Sequence, residues 1–189
     1  MALEGKTLKI RKLWLIAGLF ILLLTSRTSL WINKSESLPG KIFLVVKGAS
    51  FKKEDLIGIE SHQTSFGRTN RLIKRIGGVG GDTLRFKKLE DNFDQENLTA
   101  STKDYMGDIY INDQCIGPVF NQTSEGKNLT PLKEKIIPAG YLFVHGTHPQ
   151  SFDSRYAEFG LMDDGEVFSS TMKADSQTTE ILGRAWRIF

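Results

Sequence analysis

Two serines stand two apart in "NKSESLPG" (33–40), and a lysine stands among aliphatic residues in "RLIKRIGG" (71–78). A serine hydroxyl attacks a carbonyl only when a base takes its proton. The candidate bases are His62, His145, His148 and Lys74. "HGTH" sets two histidines three apart without the glutamate of a zinc-protease helix, so the histidines read as exposed loop residues. On a strand, residues 72, 74 and 76 share one face. Lys74 then lies with Leu72 and Ile76 while Arg75 points the other way. An ammonium group in apolar surroundings loses hydration, and its pKa drops from about 10.4 by up to about 3–5 units. The result is a neutral amine that can act as a base near neutral pH. The ordinary alternative is a strand lysine whose stem covers apolar surface while its charge stays in water.

Other chemistries find less support. "GGVGGDT" (77–83) fits neither glycine-rich phosphate-binding pattern and reads as a tight turn between strands. Two further S-x-x-K pairs, Ser50/Lys53 and Ser124/Lys127, sit in polar stretches without companion motifs. The one cysteine, Cys115, excludes an intrachain disulfide and a cysteine metal cluster. A net charge of +3 over 189 residues gives no basis for nucleic-acid binding. Four N-x-[ST] sequons, at Asn33, Asn97, Asn121 and Asn128, carry meaning only in a eukaryotic secretory pathway.

The elements that must position these residues divide the chain in two. "LWLIAGLFILLL" (13–24) is uncharged and follows the basic residues Lys6, Lys9, Arg11 and Lys12. A cleaved signal peptide would need small residues after it, but "TSRTSLWINK" has no A-x-A site. Twelve helical residues span only about 18 Å against a hydrocarbon core of about 30 Å, so the expected anchor runs on to Ile32. Arg27 then snorkels at the far end, with Trp14 and Trp31 at the two interfaces. This gives a basic cytoplasmic N-terminus (1–12), a transmembrane helix (13–32) and an extracytoplasmic domain (33–189).

Short runs rich in β-branched and aromatic residues fill that domain: 41–48, 55–61, 71–78, 82–88, 140–146 and 180–189. Residues 108–120 read as a hairpin turning at Asn112-Asp113. Polar stretches suggest insertions over about 89–135 and 162–179. The expected fold class is mainly β, an antiparallel domain behind one N-terminal transmembrane helix.

Four blocks, in order, resemble the type I signal peptidases, the membrane-anchored Ser–Lys proteases. "SESLP" is similar to the family's S-x-S-M-x-P box, "KKEDLIGIES" to K-x-G-D-I-V, and "IKRIGGVGGDTL" to the lysine box K-R-V-x-G-x-P-G-D. "IPAGYLFVHGTHPQSFDSRYAEFG" is similar to the family's P-x-G-x-x-F-V-x-G-D-N…S-x-D-S-R-x-x-G block, and "LGRAWRIF" to its closing G-R-A. The resemblance implies a mostly β fold, Ser37 as nucleophile and Lys74 as base. It also implies an oxyanion hole from the Ser35 hydroxyl and the Ser37 N–H, a serine near the lysine (Ser151), and a supporting buried ion pair, Asp153 with Arg155.

Three departures stand out. Glu54 replaces a glycine, Gly80 replaces a proline, and "GTHPQS" replaces "GDNRDNS". These resemble the TraF-type peptidases of conjugative plasmid transfer, which process the pilus subunit and in some members cyclise it. The implied partners are a leader-bearing, pilin-like precursor and membrane lipid, with no cofactor and no metal. The implied place is the bacterial inner membrane, with the catalytic domain on the periplasmic side. Two alternatives stay open: a housekeeping signal peptidase, and a non-catalytic anchored β domain that serves assembly.

Overall fold

The computed structural model describes residues 14, 26–33, 37–61, 70–89, 104–123, 125–133, 135–164 and 179–189. Among these residues there are eleven strands: β1 (Thr28–Ile32), β2 (Ile42–Lys47), β3 (Leu56–Ser61), β4 (Asn70–Gly78), β5 (Thr83–Lys88), β6 (Tyr105–Ile111), β7 (Gln114–Phe120), β8 (Lys135–Ile136), β9 (Tyr141–His145), β10 (Met162–Asp163) and β11 (Thr179–Arg187). A seven-stranded sheet has the order β1-β2-β11-β3-β4-β9-β10, and a four-stranded sheet the order β7-β6-β5-β8. Every pairing is antiparallel. The expected mainly β class matches this architecture.

The chain crosses between the sheets at the glycine-rich turn after β4. Asp82 closes that turn, accepting the Val79 N–H at 3.0 Å and the Lys53 ammonium at 2.8 Å. Its neighbours hold its carboxyl below the usual range against the opposing effect of burial. The hairpin β6–β7 turns at Asn112-Asp113, both with positive φ (47° and 67°), the geometry of a two-residue primed turn. That hairpin is no peripheral insertion. Ile109, Ile111 and Val119 are buried and form, with Leu84, Ile137, Phe143 and Tyr156, the core of the smaller sheet. Two further cores serve the larger sheet, one around Phe43 and Val45 and one around Ile57, Ile59 and Val144.

One boundary expected from sequence is corrected. The helix does not reach Ile32. Ser26 and Arg27 are helical, and Thr28–Ile32 then pairs along its whole length with Ile42–Val46. Trp31 does not sit at a lipid interface but is 4% exposed in the core beside Phe43. Extending the run 13–24 to bilayer length had absorbed the strand across the polar stretch 25–29. The folded domain therefore begins at Thr28 rather than at residue 33. Trp14 is helical, and the rest of the apolar run, 13 and 15–24, lies outside the described residues. Among the described residues no helix is long and apolar enough to cross a membrane.

Candidate active site

Lys74 stands in the middle of β4, opposite Ile57 of β3. The alternation that sets it beside Leu72 and Ile76 carries it inward, and the residue is 2% exposed. A buried ammonium needs partners, and two oxygens supply them. Nζ donates to Ser151 Oγ at 2.7 Å and to the Phe152 carbonyl at 2.8 Å. Burial lowers its pKa from 10.5 to about 8. The Asp153 carboxylate partly offsets that fall, and the Arg155 guanidinium adds to it.

Asp153 and Arg155 form a fully buried ion pair, Nε to Oδ1 at 2.9 Å and Nη2 to Oδ2 at 3.0 Å. Arginine's fork has more donors than one carboxylate can use. The remainder capture the carbonyls of Pro118, His148, Pro149 and Ser151 at 2.8–3.1 Å. This one side chain therefore shapes the 148–151 turn and ties it to β7. The Arg155 guanidinium holds the Asp153 carboxyl below the usual carboxylate range, against the opposing effect of burial. Asp153 Oδ2 also accepts the Gly146 N–H at 2.9 Å, and Ser154 Oγ accepts the Val144 N–H at 3.1 Å. The ion pair thus locks the end of β9 against the turn that presents Ser151 to Lys74.

Ser37 comes to the same place from the other end of the chain. It lies half-buried in the loop between β1 and β2. Its carbonyl accepts the Thr147 N–H at 2.7 Å and the His148 N–H at 3.3 Å. Gly146 sits at the junction: a β-carbon there would collide with Ser151 Oγ and lie 2.6 Å from the Ser37 carbonyl oxygen. The Ser37 backbone and the Ser151 hydroxyl that holds Lys74 therefore face each other across the space of one absent methyl group. Ser35, the other expected oxyanion donor, lies outside the described residues, as does His62.

Three residues depart from the sequence reading or were missed by it. His145 is not an exposed loop histidine. It belongs to β9, is half-buried, and burial pushes its pKa down from 6.5. Gly146 and Ser154 carry site geometry without having been singled out. Nothing in a lone sequence marks a glycine whose missing β-carbon matters to residues far away.

The departures from the resembling blocks also have physical readings. Glu54 has φ of 74°, a left-handed backbone in which glycine is favoured, which accounts for the glycine in the motif. A β-carbon at Gly80 would lie 2.8 Å from Ala139 Cα and 3.1 Å from the Pro138 carbonyl, so this packing has no room for a ring. Among the described residues no group of histidine, cysteine or carboxylate side chains could hold a metal ion.

A family model, signal peptidase, peptidase S26, matches residues 8–173. No curated protein matches the chain. The match covers the Ser37 loop, Lys74 and the Ser151–Arg155 turn alike, and the antiparallel β architecture agrees with it. The chain therefore belongs to the signal peptidase family, peptidase S26, whose members are serine peptidases acting on precursor proteins.

Proposed function

We propose that this chain is a membrane-anchored serine endopeptidase that removes leader peptides from exported precursors, with Ser37 as nucleophile and Lys74 as its general base. The observation that carries this reading is the buried Lys74 amine, oriented by Ser151 Oγ and Phe152 O, beside the loop that bears Ser37. With a pKa of about 8, roughly a tenth of the amine is neutral at pH 7, enough to accept a proton.

Lys74 takes the Ser37 proton as Oγ attacks the scissile carbonyl. The Ser37 N–H and the Ser35 hydroxyl hold the oxyanion, where losing one donor costs about 10²–10³ in rate. The lysine then protonates the leaving amine and an acyl-enzyme remains. Water, activated by the same amine, releases the acid. An amine from the same substrate in place of water gives a cyclic product.

We assign the substrate as a pilin-like precursor of conjugative transfer, because the departures at Glu54, Gly80 and 147–150 resemble the TraF-type peptidases. The place is the bacterial inner membrane, anchored by the apolar run 13–24, with the domain on the periplasmic side. An apolar surface on the strand that follows this run in the sequence supports this. Leu30 and Ile32 are 62% and 71% exposed on the strand that follows the helical Arg27. In the next strand their register partners are Leu44 and Ile42, and Trp186 also faces Leu44.

The test is cleavage of a leader-bearing pilin by the full chain in detergent micelles. Ser37→Ala and Lys74→Ala should each abolish cleavage in folded protein. Lys74→Arg should fail too, since arginine does not give up its proton. Substantial activity in Lys74→Arg would overturn the base assignment. Mass spectrometry of the product separates a linear chain from a cyclic one, which is lighter by one water. Equal cleavage of unrelated secreted precursors would turn the reading toward a housekeeping peptidase.

A further inference from the structure

The loop that carries Ser37 joins β1 to β2, and Ile32 faces Ile42 across its base. A loop of this length has many backbone conformations, and most would aim Ser37 away from Lys74. Something must choose one. Leu38 helps by burying its side chain to 4% exposure. The carbonyls show what else does. Ser37 O is taken by Thr147 and His148, and Ile42 O by the N–H groups of Ile188 and Phe189. Between those two points, three carbonyls go to a single residue. The Asn33 N–H donates to Lys41 O at 2.8 Å, and its side-chain Nδ2 donates to Leu38 O at 3.4 Å and Gly40 O at 3.5 Å. Both side-chain bonds are longer than the usual N–H···O distance, and the amide's two hydrogens allow one for each carbonyl.

We propose that Asn33 is a positioning residue for Ser37: its amide, set across the loop, fixes the course of residues 38–40 and through it the aim of the Ser37 hydroxyl. The role is specific to an amide. Aspartate has the same shape but offers only acceptors to two carbonyls, so it pushes apart what asparagine draws together. Serine and alanine are too short to reach both. The loop then relaxes without the domain unfolding, because Leu38 and the ladder between β1 and β2 stay in place.

This inference rests on the Ser37–Lys74 reading, and the experiment keeps the two apart. Asn33→Asp and Asn33→Ala would be compared with the unaltered full chain in detergent micelles. The substrate is a synthetic peptide with alanine at the first and third positions before the cut. Loss of aim shows in turnover, since a displacement of about 1 Å can cost about 100-fold. The expected result is a kcat lowered about 10- to 100-fold with KM within about twofold, larger for Asp than for Ala, at a temperature where circular dichroism shows all three folded. The rising limb of the pH profile should keep its midpoint, since the surroundings of Lys74 are untouched. An unchanged kcat, a fall matched by loss of folded protein, or an effect confined to KM would overturn the proposal. Ser37→Ala and Lys74→Ala serve as controls. If both are inactive while Asn33→Asp is normal, only the positioning role fails; if either retains activity, the dyad fails first.

Discussion

Replacing Lys74 by methionine isolates what burying the amine costs the fold. Methionine keeps the unbranched stem and loses the charge. In the folded domain the amine's pKa is about 8, against 10.5 for the free group. Below pH 8 both folded and unfolded chains hold the proton, and the fold bears the full penalty of a buried ammonium. Between 8 and 10.5 the folded chain has released the proton while the unfolded chain keeps it, so stability rises by about 1.4 kcal/mol per pH unit. From about pH 7 to about pH 10 the wild type therefore gains about 3 kcal/mol that Lys74→Met does not.

The absolute difference at one pH is a poor guide. Methionine also removes the hydrogen bonds that Lys74 gives to Ser151 Oγ and the Phe152 carbonyl, at about 1–3 kcal/mol each. Those losses are nearly independent of pH and cancel when the two profiles are subtracted. Urea unfolding of both proteins in detergent micelles at several pH values measures the quantity directly. The gap should move by about 3 kcal/mol in favour of the wild type as pH rises. Profiles that stay parallel would refute the reasoning, because the amine would then titrate alike folded and unfolded.

Three further outcomes follow from the geometry. Arg155→Met leaves Asp153 charged, fully buried and without its main partner, and releases the carbonyls of the 148–151 turn; thermal or urea unfolding should show a loss of about 3–5 kcal/mol. Gly146→Ala puts a methyl group against Ser151 Oγ and the Ser37 carbonyl; cleavage should fall about 100-fold while circular dichroism stays that of the folded chain. Glu54→Gly relieves a left-handed backbone costing about 1–2 kcal/mol, offset by glycine's greater unfolded-state freedom and by the loss of the 3.6 Å contact with Arg75. Unfolding should therefore find the variant equal to the wild type or more stable by up to about 1 kcal/mol, with activity unchanged.

Features set by local patterning were readable in the sequence. The alternation in 71–78 anticipated that Lys74 would turn inward, and Asn112-Asp113 announced a hairpin because few residues accept positive φ twice in succession. Features set by contacts distant in sequence were not. β1 was hidden because the run 13–24 is too short to cross a bilayer, so the expected anchor was carried on over Leu30, Trp31 and Ile32; only pairing with β2 marks them as strand. β8 and β10, at two residues each, exist through their neighbours alone. His145 is the last residue of β9 and precedes "GTH", so the paired spacing of the two histidines reads as loop while its burial comes from packing. Arg155 could be paired with Asp153 by resemblance, but the four carbonyls it gathers have no identity in a sequence. The same holds for the three carbonyls that Asn33 spans.

The central claim is that a lysine amine, rather than a histidine, takes the proton from Ser37. The pH dependence of kcat/KM for leader-peptide cleavage tests it most directly. The account predicts one ascending limb with its midpoint near 8, the pKa of the buried Lys74 amine, and no such limb in Lys74→Ala. A limb centred at or below about 6.5, the range of imidazole, would contradict it and move the role of base to a histidine such as His145.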